Sequence, residues 1–365
     1  MNYLSRVACA ALIAATLSGC AELGYYAQAA RGQMSLLADA KPIDRWLSDP
    51  EVKEDLKARL KRVREIREFA ARELGLPDNE SYKRFARLDR AFVMWNVVAT
   101  PELSLKPESW CFPVAGCVDY RGYYDQREAQ IFARQLRDRG LDVRVSGVPA
   151  YSTLGWFNDP VLSTFIHYPE AELARLVFHE LAHQVAYAAG DSQFNESFAT
   201  AVEEVGVERW LQMRGDDEVR SAYIAFQRRR EDFLSLLERY RLRLDDLYQS
   251  GRSASEKRQG KLSLMAAMQA DYSSLKEGWG GYTGYDRWFS EPMSNAHFAL
   301  ISTYHDLVPA FRALLREKQS LPAFYEAVRA LARADKTQRR LRLEHYMSIA
   351  QQAPTNVADK AAALQ

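Results

Sequence analysis

The sequence has no excess of charge of either sign. Its 365 residues carry 49 lysines and arginines against 48 aspartates and glutamates, so its electrostatics give no reason to expect nucleic acid as a partner. Internal repeats and low-complexity tracts are also missing, which argues against solenoid and linker-rich architectures. Apolar residues make up 47% of the chain, which is enough to build the core of one large domain.

The sequence also lacks an apolar N-terminal run long enough to span a bilayer. Residues 7–17 are small and apolar but too few to cross a membrane, and they suit the core of a signal peptide over residues 1–19. The run ends at residues 17–20 in LSGC, which resembles the lipobox of bacterial lipoproteins. The resemblance implies cleavage before Cys20 and stable anchoring through acyl chains on that cysteine. The alternative is a plain signal peptide followed by an incidental cysteine.

The residue after this cysteine bears on the membrane concerned. Ala21 stands where an aspartate would signal retention in the inner membrane. We therefore expect a lipid-anchored protein of the bacterial cell envelope, at the outer membrane and facing the periplasm. Residues 20–50 are then expected to be an anchor segment and linker.

Cysteine is scarce, and its four positions exclude a cysteine-rich metal site. Cys9 and Cys20 belong to the signal peptide and the expected anchor. Cys111 and Cys117 remain, and an exported chain meets an oxidising compartment, so we expect a disulfide between them. No CxxC spacing occurs, which makes a structural zinc site built on these thiols a poor alternative.

The spacing of apolar residues predicts a mainly α protein with a small mixed β-sheet (α+β). Apolar residues recur every three or four positions over residues 51–74, which predicts an amphipathic helix. From Pro169 onwards the chain is predicted to be almost wholly helical. The other predicted segments are a linker at 25–47 passing into a helix near 33–37, strands at 92–99, 118–122, 141–145 and 148–157, a helix at 125–139, and a hairpin of helices at 218–247 and 253–275. We expect one domain over 51–365, divided at residue 168 into a helix-plus-sheet part and a helical part.

The most informative motif is HELAH at residues 179–183, inside a predicted apolar helix. His179 and His183 are four residues apart, so both imidazoles leave one face of the helix and can bind one zinc ion. Glu180 projects about 100° round the helix, beside the metal, where it can accept a proton from water. HExxH also occurs by chance, but two histidines and a glutamate in an apolar helix need a partner, which favours metal binding.

A catalytic zinc ion needs a third protein ligand and one open position. Residues 195–199 (NESFA) resemble the NExFA segment that supplies the glutamate ligand in aminopeptidase N relatives, which implies Glu196. Those families leave a longer gap after the second histidine than the one between His183 and Glu196, so the helical hairpin must be tighter here. Glu203 has the familiar spacing and is the alternative ligand. If Glu196 binds the metal, Glu203 or Glu204 is expected to orient a histidine.

A substrate-binding strand is expected at residues 150–157. Thermolysin-like and aminopeptidase N-like folds have an edge strand at this distance before the motif, and an edge strand can pair with an extended peptide. We therefore expect Tyr151, Thr153 and Gly155 to contact substrate. An aromatic-rich core strand explains the same residues equally well.

Several segments together resemble the bacterial family of "predicted aminopeptidase" lipoproteins. They are the lipobox, residues 25–37, 110–124 and 150–157, HELAHQ followed by NESFAT, and residues 295–296 and 303–309. The resemblance implies a gluzincin-like peptidase that binds one zinc ion per chain through His179, His183 and Glu196. It also implies a zincin-type catalytic core flanked by helices at both ends.

Two further roles are implied by related zinc peptidases. A tyrosine or histidine from a downstream segment stabilises the transition-state oxyanion there, which implies Tyr304 or His305, with Tyr282 and Tyr285 as alternatives. An aminopeptidase also needs an acid for the free α-ammonium of its substrate, for which we consider Glu203, Glu204 and Asp159. Two other functions stay open: an endopeptidase of envelope proteins or peptidoglycan-linked peptides, and a non-catalytic scaffold lipoprotein with structural zinc. Glu180 favours an enzyme, because a structural site has no use for a base.

Overall fold

The computed structural model describes residues 23–112, 116–299 and 307–352. It is 62% helical with sheets of two or three strands, which confirms the predicted mainly α fold with a small mixed sheet. The described helices are α1 (23–39), α2 (Ile43–Ser48), α3 (Glu54–Arg72), α4 (Gln126–Asp138), α5 (Glu170–Ala182), α6 (Ser192–Arg214), α7 (Asp217–Gln249), α8 (Ala254–Gly278), α9 (Asp286–Phe289), α10 (Val308–Lys318), α11 (Leu321–Arg333) and α12 (Lys336–Gln352).

The described strands form three small sheets. Their ranges are β1 (Lys41–Pro42), β2 (Arg84–Ala86), β3 (Met94–Pro101), β4 (Trp110–Phe112), β5 (Gly116–Val118), β6 (Arg121–Tyr123), β7 (Leu141–Val148) and β8 (Val161–Leu162). The first sheet has the order β1-β2-β8 and is mixed, since β2 runs antiparallel to β1 and parallel to β8. The second has the antiparallel order β6-β3-β7, and β4 and β5 form a separate hairpin.

The main core lies where α3, α5, α6, α10 and α11 meet. Helix α3 buries the apolar side chains that recur every three or four residues, because that spacing places them on one face. Phe69 from this face packs against Phe178 of α5 and Trp210 of α6, with ring centroids 5.9 and 5.2 Å apart. A Cβ on Gly206 would lie 2.6 Å from the Phe178 ring, so glycine is what lets α6 approach α5 this closely. These contacts hold the two helices of the candidate site against the core.

The hairpin of α7 and α8 has its own apolar cluster. Phe233 and Tyr240 of α7 pack with Met268 and Tyr272 of α8. A capping box formed by Ser253 and Glu256 starts α8 and fixes the turn. The hairpin is tied to the second sheet by an ion pair between Lys261 Nζ and Asp142 Oδ2, 2.5 Å apart. The predicted hairpin is therefore present, with each helix ending within three residues of its expected bounds.

Three predicted segments are wrong. Residues 25–47 are not a linker, because α1 extends over 23–39 and buries Gln28, Gln33 and Leu36. The predicted strand 118–122 is divided between β5 and β6, which belong to different sheets.

The third error concerns the proposed substrate strand. Strand β7 ends at Val148, and residues 149–160 form a loop. Leu154 and Gly155 both have positive φ angles, of 56° and 82°, which no strand accommodates. The expected edge strand at 150–157 is therefore absent.

Among the described helices, none combines the length and apolar character needed to cross a membrane.

Candidate metal centre

Helix α5 carries the HELAH motif towards the protein interior. Its apolar residues Leu173, Val177 and Leu181 are buried in the main core. His179 and His183 leave the helix one turn apart, near its C-terminal end, with ring centroids 4.8 Å apart. The second histidine is the C-cap residue, so the chain turns away immediately after it. The motif is thus placed where a following helix can meet it.

The turn between α5 and α6 is closed by a buried asparagine. Asn195 accepts a hydrogen bond from the Ala188 N–H (2.7 Å) and donates one to the Ala188 carbonyl (2.9 Å). Asp191 caps the first turn of α6 by accepting from the Phe194 N–H, and its carboxylate pairs with Arg339 at 2.8 Å. These contacts make the tight hairpin that the short spacing requires.

The hairpin places three ligand atoms together. His179 Nε2 lies 3.2 Å from His183 Nε2 and 3.2 Å from Glu196 Oε2. The distance from His183 Nε2 to the same glutamate oxygen is 3.7 Å. All three atoms lie within 4.8 Å of one another, and within the described residues they form a group able to hold a metal ion. The structure therefore brings together the residues predicted as ligands.

Glu203 lies on the opposite side of the His179 ring and is not one of the three grouped residues. Its carboxylate is 2.8 Å from His179 Nδ1, the ring nitrogen that faces away from the other ligands. Arg175 Nη1 donates to both of its oxygens at 3.2 Å. The Glu203 side chain is 0% exposed. Its position matches that of an acid that orients a histidine, the alternative role considered for it from the sequence.

Burial and the charges around the site together shift the pKa values of the two histidines in opposite directions. Burial lowers the pKa of His179, but hydrogen bonds to Glu196 and Glu203 outweigh it and raise that pKa to about 10. Burial lowers the pKa of His183 to about 4, since this imidazole has weaker contact with the carboxylates. Burial acts to raise the pKa of Glu203, yet the Arg175 charge and His179 hold it at about 2. The Glu203 carboxylate is thus held in its charged form beside His179.

Glu180 points into the same region. Burial, followed by the neighbouring charges of Glu196 and Asp159, raises the pKa of Glu180 to about 7 against an opposing effect of His179. This glutamate follows His179 directly in the sequence and is not among the three grouped ligand atoms. The role predicted for this carboxylate, as a base beside the metal, stays a prediction.

The residues expected to bind substrate make internal contacts instead. The Tyr151 hydroxyl hydrogen-bonds to the Tyr124 hydroxyl (2.7 Å) and to Gln33 of α1. Thr153 donates to the Asp159 carboxylate through both its N–H and its Oγ1, each at 2.8 Å. The role expected for these residues depended on a strand that is absent.

The loop that carries them nonetheless lies beside the site. A Cβ on Gly155 would lie 3.6 Å from the side chain of Gln184, the residue after His183. The chain on either side of this glycine therefore runs past the C-terminal end of α5. It can border a substrate cleft without pairing with the substrate as a strand.

The expected oxyanion donors are only partly placed. Tyr304 and His305 lie outside the described residues. Tyr285 stacks on Phe233 at 4.0 Å and belongs to the cluster of the α7–α8 hairpin, and Tyr282 packs beside Tyr285 with ring centroids 6.1 Å apart. They serve there as packing aromatics.

Two tyrosines that the sequence did not single out lie near the ligands. Burial and then the charge of Glu196 raise the pKa of both Tyr120 and Tyr187, and the charge of Glu180 adds to the effect on Tyr120. Tyr120 follows β5 and packs on the cluster of Val98 and its neighbours. It lies within the segment 110–124 that carried the family resemblance, which is the one sequence signal that could have found it.

The β4–β5 hairpin contacts the turn between the two metal-site helices. A disulfide joins Cys111 to Cys117 across this hairpin, as expected from the sequence. Gly116 has a φ of 73°, and a Cβ there would lie 2.7 Å from the backbone nitrogen of Gly190. The hairpin is therefore packed directly on the turn that precedes Glu196.

The fold and the site define a mainly α protein in which the two histidines of an HExxH motif and a glutamate meet at one partly buried position. The chain belongs to the family described as "Putative aminopeptidase", which matches residues 24–343. Membership of this family suggests peptidase activity, and it confirms that the motifs pointed to a family of putative aminopeptidases. No curated protein and no solved structure matched the chain.

Proposed function

We propose that this protein is a zinc-dependent peptidase whose metal is held by His179, His183 and Glu196. The observation that carries the proposal is the close approach of these three ligand atoms on two adjacent helices. Tetrahedral zinc with bonds of about 2.0–2.1 Å needs its ligand atoms to lie about 3.3 Å apart. The three observed separations of 3.2, 3.2 and 3.7 Å fit that requirement.

The donor chemistry also fits zinc. Two imidazoles and one carboxylate form a ligand set of catalytic zinc sites, which leave one position open for water or substrate. Glu203 accepts from His179 Nδ1 and so directs the other ring nitrogen towards the ligand group. One zinc ion per chain follows from this single set.

The chain's own residues supply the proton transfers. Zinc, when bound, would polarise the scissile carbonyl and make water more acidic. Glu180 accepts a proton from the attacking water and then delivers it to the amine that leaves, so that one carboxylate serves both steps. A hydrogen-bond donor stabilises the developing oxyanion. We propose Tyr304 or His305 for this donor from the sequence, and Tyr120 from its position beside Glu196 and Glu180.

Aminopeptidase specificity is the first proposal, because it is the description of the family. Endopeptidase action on envelope peptides is the second, and one observation favours it. Each acid considered for the substrate's α-ammonium already has a partner: Glu203 pairs with Arg175, Glu204 with Arg312 at 3.3 Å, and Asp159 with Thr153. Digestion of one peptide with free and acetylated N-termini distinguishes the two, since an endopeptidase cleaves both.

The proposed location is the cell envelope. Cleavage before Cys20 and acylation of that cysteine would anchor the enzyme at the outer membrane, facing the periplasm, where peptides are its substrates. Mass spectrometry of the mature N-terminus tests this part. An unmodified cysteine would exclude the lipid anchor without affecting the proposed peptidase.

The test of the catalytic proposal uses the chain from residue 20 onwards. We expect about one zinc ion per chain and hydrolysis of peptides that stops on chelation. Glu180→Gln should keep the zinc and lower kcat/KM by about 10²–10⁴, because it removes the base and leaves all three ligands. The control is Glu68→Gln on α3, whose side chain is 64% exposed, and it should match the wild type.

Three results would contradict this proposal. Protein that takes up no zinc at neutral pH excludes the metal site. Wild-type protein that binds zinc but cleaves no peptide in a library would support a scaffold role instead. A Glu180→Gln variant with full activity would show that another group is the base.

A further inference from the structure

Helix α1 exposes an apolar face. Leu23 and Met34 are 71% and 62% exposed, and Tyr26 is 42% exposed. Together with Ala30 and Leu37 they are spaced by three or four residues, so they follow one side of the helix as a continuous stripe. We call these five residues the α1 stripe.

The buried face of the same helix is partly polar. Gln28 and Gln33 point into the body, where they accept hydrogen bonds from the Tyr124 N–H and hydroxyl respectively. Leu36 on this face belongs to the main core. Helix α1 therefore departs from the usual surface helix, since it buries two polar side chains while the α1 stripe stays largely exposed.

The stripe continues onto the loop of residues 149–160. Leu37, at its C-terminal end, lines one surface pocket with Arg84, Trp156 and Phe157. Trp156 is 72% exposed and Phe157 is 45% exposed. Side chains of this size are rarely left in water in a group, and such a patch marks an interaction surface.

The position of the stripe in the chain identifies its partner. Only two residues separate Cys20 from the first residue of the stripe, Leu23, so the Cα atoms of these two residues lie at most about 11 Å apart. An acyl group on Cys20 would therefore hold the N-terminal end of α1 at the bilayer surface. Tyrosine and tryptophan favour the interface between headgroups and acyl chains, and Arg84 beside Trp156 suits anionic headgroups.

We propose that the α1 stripe, with Trp156 and Phe157, lies in the interface of a phospholipid bilayer and docks the body of the protein on the membrane. The helix would lie along the surface with its apolar side among the headgroups, as amphipathic interfacial helices do. This goes beyond a lipid anchor, because an anchor alone leaves the body free to swing on its chain. It does not depend on peptidase activity.

The experiment uses unacylated protein, so that only the surface can bind lipid. It is the chain from residue 20 onwards with Cys20→Ser; the buried residues of the described structure all lie beyond residue 27, so this chain keeps its core. We expect it to float with vesicles of phosphatidylethanolamine and phosphatidylglycerol. The Leu23→Glu/Met34→Glu double variant should lose at least about tenfold in vesicle partitioning, and Trp156→Ser should also lose affinity.

The matched control is Leu262→Glu on α8, whose side chain is 64% exposed, and it should bind vesicles like the parent. Peptide hydrolysis in solution, measured with Met34→Glu, should be unchanged, which separates this proposal from the proposed function. Parent protein that stays out of the vesicle fraction overturns docking, as does equal binding by the double variant and the control. So does a dimer in solution that the double variant dissociates, because the stripe would then serve a second copy of the chain.

Discussion

Glu196 and Glu203 lie two turns apart on α6, yet both contact the imidazole of His179. Two turns shift a side chain by about 11 Å along the axis, so the two carboxylates cannot reach the same ligand position. They meet opposite nitrogens of the ring instead, with Glu196 at Nε2 and Glu203 at Nδ1. His179 therefore lies between Glu196, which is proposed as a metal ligand, and Glu203, which is proposed to orient the imidazole ring.

This division of roles predicts different outcomes for matched substitutions. Glu196→Gln should remove a ligand, weaken zinc binding severely and abolish hydrolysis. Glu203→Gln should keep stoichiometric zinc and lower its affinity by about 10–100-fold, because it disturbs only the orientation of His179. A competition titration against a chelator measures both. The reverse ranking would transfer the ligand role to Glu203.

Among the residues that the structure describes, Tyr120 is the candidate for the oxyanion donor. Tyr120→Phe removes only its hydroxyl, so zinc content should be unchanged while kcat falls by about 10²–10³ with little change in KM. Tyr187→Phe is the matched control, since Tyr187 also feels the charge of Glu196 but not that of Glu180. Steady-state kinetics with both variants decide the role. Full activity in Tyr120→Phe would leave the donor to Tyr304 or His305.

At the scale of elements, the turn between α5 and α6 determines whether the site forms. The gap between His183 and Glu196 is short, but the first residue caps α5 and the second lies just inside α6. Ligands at the adjoining ends of two helices need only a short connection. Asn195 closes this connection, and the packing of Gly116 on Gly190 covers it.

Asn195→Ala should therefore weaken both the fold and the metal site. It leaves the buried Ala188 N–H without a partner and removes one of the two hydrogen bonds that the Ala188 carbonyl accepts, the other coming from the Asp191 N–H, which costs about 1–3 kcal/mol of unfolding free energy. Asn295→Ala is the matched control, because Asn295 is also buried and bonds the carbonyls of Glu102 and Ser104 in another part of the chain.

Denaturant unfolding and zinc titration together test this prediction. Both variants should lose stability, but only Asn195→Ala should lower the zinc affinity of the folded protein. Equal zinc affinity in the two would mean that the turn is held in place by its other contacts, such as the Asp191–Arg339 ion pair.

Two of the three segments that the sequence misplaced have a physical reason in side-chain hydrogen bonds. The sequence of α1 does not show apolar residues at the regular spacing of a core-facing helix, because two of its buried positions are glutamines. These glutamines hydrogen-bond to Tyr124 and Tyr151. Residues 150–157 have the composition of a strand, but Thr153 bonds to Asp159 and turns the chain into a loop. In both cases side-chain hydrogen bonds to distant residues outweigh local preference.

At the scale of the whole molecule, the proposed membrane face and the candidate site are mechanically connected. The α1 stripe adjoins the loop of residues 149–160 through Leu37 and Trp156, and Gly155 of that loop lies against Gln184, next to His183. These contacts belong to one packed body. Docking through α1 would therefore hold the site at a constant height and orientation above the bilayer, which suits peptides that are themselves close to the membrane.

Features that depend on local geometry could be predicted from the sequence alone. The spacing of His179 and His183 places them on one helical face wherever that helix packs, because the α-helical repeat is the same in every fold. Periodicity likewise predicted α3, α5 and the α7–α8 hairpin, and the family motifs pointed to Glu196. These inferences needed no knowledge of long-range contacts.

Which residues meet at the site depends on the tertiary structure. It separated Glu196 from Glu203 by bringing them to opposite nitrogens of His179, and it brought Tyr120 from the β4–β6 region towards Glu196. It also turned the apolar side of α1 outwards. Such choices depend on how distant elements pack, and packing is set by the balance of many burial and hydrogen-bond energies that no single segment contains.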